Sequence, residues 1–526
     1  MHTPLCRSSI VAPVAVALCL FAPQAGTQEL AAVQRVTHAV SAGDIGSLDP
    51  TLPWVSVEAP IVTVVMQGLV EYPPGEVSTD FQPSLAESWE MSEDGRVYTF
   101  HLRQGVQWHK GFGEFTADDV KFTLDRYRNP DISAWHGNYA NVMDVEVLDT
   151  YTVRVTLESA DPFFLALVAG NTESVGLMLS KRAFEERGDD RMRLDPIGTG
   201  PFVFEEYVPR DRVVMSRNED YWDGAPILDE VVIRFMPSST ARELALRTGE
   251  IDTMRAAIDA QLIERLMDQG FIVDIQSPEI VWWFFMNTAE PPLDDIRVRQ
   301  AIAHAINPEE LAAFLGPVAK VADTIIPPSY FGAASHEELP EEGRWSYDPD
   351  KAKALLAEAG LEDGFALSMI ITERDDYRQQ MVLIQEHLAQ VGIDLELNLV
   401  DHAHYHSQIV RHVNPLVHYG DIAYPNSEIF LHRTFKSDAL RNFPNWSRPE
   451  FDSLLEEIAA TPDLDARREL VVEAQGLIAR DFIVVPTTFT GQPLVRHPRV
   501  DLGYDLRSSL VLEYRFGNQS RILDVD

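Results

Sequence analysis

Cysteine is almost missing from this sequence. Of 526 residues only Cys6 and Cys19 are cysteine, and both fall within the first 25. The rest of the chain therefore has no disulfide, no thiolate nucleophile and no cysteine-based metal site. Lysine is the next scarcity, at seven residues: Lys110, Lys121, Lys181, Lys320, Lys351, Lys353 and Lys436. Basic charge is short altogether, with 43 Lys and Arg against 82 Asp and Glu and a net charge of −39. A surface that negative repels phosphates, so nucleic acids and anionic membranes are poor partners. No apolar run reaches the roughly 20 residues that a relaxed transmembrane helix needs. Catalytic signatures are absent too: there is no G-x-S-x-G, no P-loop, no dinucleotide fingerprint and no H-E-x-x-H. His336-Glu337-Glu338 begins like a zincin motif, but no second histidine follows. Acids are so numerous that a pair of them carries no information. Such a chain reads most simply as a binding protein without a cofactor, not as an enzyme.

What is present is ordinary for a globular protein: 45% hydrophobic, 24% charged and 9% aromatic residues. At roughly 150 residues per domain, the length suggests about three domains or subdomains. The first 25 residues read as a secretory signal. Arg7 gives a positive start, Ile10 to Ala22 an apolar run, and Ala25-Gly26 the small residues of a cleavage site. Cys19 follows Ala17-Leu18 in the middle of that run, a poor match to a lipoprotein box. The expectation is an exported, periplasmic protein with no lipid anchor.

Hairpins and helices alternate irregularly. Trp89 to Met91 and Arg96 to Leu102 flank Ser92-Glu93-Asp94-Gly95, an Asp-Gly turn. Val145 to Leu148 pairs with Val153 to Leu157, and Phe202 to Tyr207 with Arg212 to Ser216. Thr116 with Asp119 begins a helix whose apolar stripe is Val120, Leu124 and Tyr127. Asp348-Pro349 begins another, carrying Ala352, Leu355, Leu356 and Ala359 and ending at Gly360. Ser447 with Glu450 is read as the cap of a third, with Phe451, Leu454, Leu455 and Ile458. Strands mixed with helices, without a regular βαβ period, indicate α+β lobes in place of one doubly wound sheet.

An ordered series of segments then resembles a known family. It comprises "GSLDP", "LAESWEMSEDGRVYTFHLRQGVQWH", "FTADDVKFTLDR", "IGTGPFVFEEY", "NEDYWDGAPILDEVVIRF", "DIRVRQAIAHAINPEEL" and "YDPDKAKALLAEAG". The series is similar to the extracytoplasmic solute-binding proteins of the dipeptide, oligopeptide and nickel family, the receptors of ABC importers. Most of these pieces read as scaffold. Thr199-Gly200-Pro201 needs a glycine for a tight backbone and a proline to enter a strand. The resemblance implies a two-lobed periplasmic-binding-protein type II fold with an extra subdomain. Lobe I would be residues 27–285 with 490–526, the extra subdomain 71–196, and lobe II 286–489. The chain would cross between lobes near Phe285-Met286-Asn287 and near Pro486 to Phe489. Closure would bury a peptide or peptide-like solute, and a monomer would deliver it to membrane permease subunits.

The resemblance also indicates where a solute would sit. In peptide-binding relatives a lobe II carboxylate near a Trp/Tyr-rich loop pairs with the peptide α-ammonium. The matching stretch is "HYGDIAYPNSEIF", His418 to Phe430. The family acid stands directly before the tyrosine; here that position is Ala423, and Asp421 is the nearest acid. Either Asp421 serves, or the cargo lacks a free amino terminus. Tyr419 and Tyr424 flank the altered position. Trp282 and Trp283, on a predicted strand, point to opposite faces, so one ring is free to reach the cleft. Trp54 and Trp446 stand in comparable loop positions, and Trp135-His136 is a further aromatic segment. His402, His404, His406, His412 and His418 form a cluster in which His402 and His406 would share a helix face, a candidate metal pair against a background of ordinary surface histidines. The alternatives in cargo are an oligosaccharide, an opine-like compound or a nickel or haem chelate. The alternatives in class are a secreted hydrolase and a sensor or chaperone of the same fold.

Overall fold

The local signals build the elements they point to. The computed structural model describes residues 29–52, 57–76, 81–161, 163–170, 176–328, 330–422, 427–507 and 513–525. The segment read as a secretory signal lies outside them, as do Trp54 and Tyr424. The three hairpins are present as Ala86–Met91 with Val97–Leu102, Val142–Asp149 with Thr152–Leu157, and Phe202–Val208 with Arg212–Arg217. In the first, Tyr98, Phe100 and Leu102 are buried on one face while Gly95 supplies the positive φ of the turn.

The helix Ala117–Tyr127 begins where its capping box stands, with the Asp119 carboxylate accepting from the Thr116 amide at 3.0 Å. Val120, Leu124 and Tyr127 form its buried stripe. Asp348 caps Pro349–Glu358 by accepting from the Lys351 amide at 2.9 Å. The expected Ser447 cap is replaced. The helix runs Pro449–Ala460, its preceding residue is Arg448, and no side chain caps it. Proline at the first helical position fixes that start by its own φ and has no amide proton to satisfy.

The fold is two-lobed and mixes helix with sheet, and its apolar residues gather around two main cores. The first takes residues from Val36 to Phe235 together with Leu494 to Ile522. The second runs from Val281 to Phe489. One long sheet ties the two bodies together. Its strand order is Leu416–Ile422, Ile272–Met286, Val484–Arg496, Thr253–Arg255, Arg35–Val40, Glu230–Phe235, Arg212–Arg217, Phe202–Val208, with Ala319–Val321 added beside Val484–Arg496. Ile272–Met286 and Val484–Arg496 are antiparallel and run through both bodies. Between Gln276 and Ile280 their register shifts. Opposite that shift lies Gly491, where an added Cβ would come 2.3 Å from the Gln276 carbonyl oxygen. Only glycine lets the two backbones approach so closely there.

The segments that carry the family resemblance meet one another as scaffold. Asp49 of "GSLDP" is buried and takes an ion pair from Arg126 of "FTADDVKFTLDR" at 2.8 Å. Its other oxygen accepts from the Thr51 amide and hydroxyl. Trp222 of "NEDYW" donates its ring N–H to Gln67 at 2.9 Å, and Thr199 donates to the same oxygen at 3.2 Å. The "IGTGP" glycines are close-approach positions: a Cβ at Gly198 would stand 1.8 Å from the Val65 carbonyl oxygen, and one at Gly200 2.4 Å from that of Val64.

Candidate functional site

Phe365–Thr372 and Ile393–Val400 are parallel neighbours in the second body. Ligands of open α/β sheets bind outside the carboxyl ends of such strands. At these ends stand Arg374, just past Thr372, and the helix His402–Ile409, just past Val400. The edge strand Leu416–Ile422 brings Tyr419 and Asp421 to the same region.

Asp421 is buried, yet it is not alone. Arg433 is hydrogen-bonded to its Oδ2, and Arg441 reaches the same oxygen at 3.2 Å and Oδ1 at 3.3 Å. Two guanidiniums thus share one carboxylate. Arg441 also lies over the Tyr419 ring, 5.6 Å from its centroid. The opposite edge of Tyr419 meets His406 at 5.6 Å. His406 and His402 face each other with their Nε2 atoms 3.1 Å apart, one donating to the other, and Arg374 Nη1 is 3.3 Å from His402 Nε2. His402 Nδ1 meets the Thr372 hydroxyl at 3.1 Å. Burial first, then the charges of His402, Arg441 and Arg374, hold the His406 pKa below the ordinary histidine value, so the ring is neutral at neutral pH.

The histidine pair does share a helix face. Among the described residues no group of three or more His, Cys, Asp or Glu is placed to hold a metal ion. Arg374 stands beside the pair, a cation that opposes a metal ion there.

The tryptophans stand elsewhere. Strand alternation sends Trp282 and Trp283 to opposite faces, and both faces are covered. Trp282 is 2% exposed, stacked on His418 at 5.1 Å, with its N–H given to Thr490. Trp283 is fully buried against Phe430 and Phe435, with its N–H given to the Ile325 carbonyl. Neither ring emerges, because helices and loops pack on both sides of this strand. Gly420 lets Trp282 lie flat across its neighbour, since a Cβ there would be 2.8 Å from the indole. Trp446 is 5% exposed, packs edge-on to Phe451 and donates to Asp481 at 2.8 Å. In the first body, Trp135 donates to the Pro50 carbonyl at 3.0 Å.

Arg374, Arg433 and Arg441 were not singled out by sequence. A signal existed in local charge. Residues 402–441 hold Arg411, Arg433, Lys436 and Arg441 against Asp421, Glu428 and Asp438, a basic excess inside a strongly acidic chain. An open groove of about 870 Å³ on the first body, between the two terminal segments, holds none of the predicted residues. Its arginines are already spent on acids: Arg35 on Glu230, Arg212 on Glu206 and Asp211, Arg234 on Glu250, and Arg499 on Asp252.

Comparison with known proteins agrees with the architecture. A family model for bacterial extracellular solute-binding proteins, family 5 middle, matches residues 80–440. The dipeptide-binding protein of Escherichia coli (strain K12) is 31% identical over 440 residues, covering 77% of this chain and 80% of that protein. Heme-binding protein A of Haemophilus influenzae is 30% identical over 481 residues, covering 84% and 85%. The solved structure of MoaA from A. tumefaciens R10 in complex with mannopinic acid superposes with a TM-score of 0.76 at 32% identity, covering 94% of this chain and 100% of that one. Two bodies joined by continuous strands, scaffold motifs in order and these likenesses lead to one conclusion: the chain belongs to family 5 of the bacterial extracellular solute-binding proteins.

Proposed function

We propose that this protein is the periplasmic receptor of an ABC importer and closes its lobes on a peptide-like solute that presents a carboxylate. Lobe I is residues 27–285 with 490–526, its subdomain is 71–196, and lobe II is 286–489, with Val281 to Phe285 at the crossing already packed in the lobe II core. The bend lies at the register shift opposite Gly491, slightly to the lobe I side of the crossings expected from sequence. The first 25 residues direct export and are removed. The receptor works as a monomer, carries out no turnover and passes its cargo to permease subunits. Tyr419 and Asp421 face the solute, and Trp54 and Tyr424 are further contacts. Trp282, Trp283 and Trp446 stay in the core of lobe II and do not touch the solute.

The observation that carries this reading is Asp421 held between Arg433 and Arg441. An ammonium approaching Asp421 meets two guanidiniums, whereas a carboxylate is drawn to them and accepts charge-assisted hydrogen bonds. A second reading, an opine acid as cargo, is favoured by the likeness to the mannopinic acid complex. Thermal shift separates the two, using L-alanyl-L-glutamate, its diamide and mannopinic acid. A ligand at about 100 times its Kd adds about 2.7 kcal/mol of stability. L-alanyl-L-glutamate should stabilise and its diamide should not; stabilisation by mannopinic acid alone would decide for the opine reading. Loss of one charge-assisted hydrogen bond, about 1.5–3 kcal/mol, predicts that Arg441→Ala weakens the free acid by roughly 10- to 100-fold. Equal stabilisation by acid and diamide would refute the carboxylate, and steady product formation would refute a pure receptor.

A further inference from the structure

The two bodies also touch through a second contact, prepared on both sides, which includes Glu428, seven residues past Asp421. On the first body, the Asp161 amide donates to the Gly95 carbonyl at 3.2 Å. Its own carbonyl accepts from the Tyr98 hydroxyl at 2.7 Å, and its carboxylate accepts from the Phe163 amide at 2.9 Å. Those bonds fix the loop that presents the Phe163 ring. On the second body, Arg467 in the first turn of the helix Leu464–Asp481 grips Glu428 with both arms, Nε to Oε1 at 2.6 Å and Nη2 to Oε2 at 2.5 Å. Its third nitrogen donates to the Thr461 carbonyl at 2.9 Å.

The two halves fit together. Phe163 meets Phe331 with ring centroids 5.1 Å apart and tilted by 59°. The Arg467 guanidinium stands 5.3 Å from the Phe163 centroid. In this arrangement the Arg467 and Glu428 side chains are only 5% and 8% exposed.

We propose that Phe163, Phe331 and the Arg467–Glu428 pair form a latch that holds the two lobes closed independently of the solute. The ring pair and the cation–π contact exist only while the bodies touch. Phe163 also shields the ion pair from water and so strengthens it in the closed form. Because no solute takes part, the latch multiplies the affinity for every solute by one factor, which is the shift it gives to the closed fraction. Residues at the solute surface set selectivity instead.

A cross-lobe disulfide reads that fraction directly. A Cβ built at Gly95 lies 3.6 Å from the Pro462 Cβ of the second body, inside the range a disulfide needs. The cysteine strains the positive-φ turn, but by the same amount in every variant compared, so the strain cancels in the ratios. The full chain carrying Gly95→Cys and Pro462→Cys, with Cys6→Ser and Cys19→Ser, is equilibrated in glutathione buffers without any solute. The effective concentration of the two thiols follows the closed population. Adding Phe163→Ala should lower it about tenfold, as should Phe331→Ala from the other lobe, and the double variant should fall little further. Values unchanged within about twofold in both single variants would overturn the latch. The measurement uses no ligand, so a wrong solute assignment leaves its result standing.

Discussion

The sharpest energetic prediction concerns His418. It stands in the strand Leu416–Ile422 with no exposed surface, stacked on Trp282 and met edge-on by Tyr377 at 6.0 Å. Neither ring nitrogen makes a well-formed hydrogen bond among the described residues, and the Trp283 backbone beside the ring offsets only part of the burial. Burial depresses its pKa from 6.5 to about 3. A histidine depressed in this way favours the native state only while it is neutral. Its contribution is whole above the unfolded value near 6.5 and is lost as pH falls toward about 3, because the unfolded chain takes up the proton first. Between about pH 8 and about pH 5 the loss spans roughly 1.5 pH units at about 1.4 kcal/mol each, or about 2 kcal/mol. His418→Phe keeps a flat ring against Trp282 and removes the titration. In urea unfolding at the two pH values, the wild type should lose about 2 kcal/mol more than the variant. Carboxylate titrations are common to both and cancel in the difference. Equal losses would show that His418 is solvated or already paired and would refute the reasoning.

Two further perturbations test the scaffold. Gly198→Ala forces a Cβ to within 1.8 Å of a main-chain oxygen, so the backbone must move, and a cost above about 4 kcal/mol is expected. Gly137→Ala, where a Cβ meets nothing within 4 Å, should stay within about 0.5 kcal/mol in the same urea series. Asp49→Ala strands the buried Arg126 guanidinium, a loss in the range of about 3–5 kcal/mol. The low end applies, since Arg126 keeps Asp189 at 3.3 Å and the Phe184 ring at 4.5 Å. Heat unfolding checks it, and an unchanged midpoint would remove the ion pair from the account.

What could be read from residues alone was whatever is decided within a few positions. The three hairpins followed from alternation and turn residues, and the Ala117–Tyr127 helix from its own capping box and stripe. The ordered motifs gave the family because they are scaffold: Asp49 finds Arg126, and Trp222 finds Gln67. The solute surface was harder for the same reason. Arg433 and Arg441 reach Asp421 from 12 and 20 residues away, through turns with no periodic signature. Alternation gave Trp282 and Trp283 opposite faces, but whether a face is covered depends on elements such as the loop carrying Ile325, distant in sequence. Ser447 looked like a cap because its spacing to Glu450 fits; Pro449 decided the helix start.

The paired long strands have a consequence for ancestry and engineering. Each is anchored in two cores at once, so no single cut of the polypeptide separates a self-sufficient half. Relatives cannot trade one jaw by a simple crossover, because the swapped piece would bring half a ribbon cut to another partner's register. Diversity in what such receptors carry must then accumulate side chain by side chain on an inherited frame, which is how strong kinship in architecture can coexist with cargoes as unlike as a dipeptide and a haem.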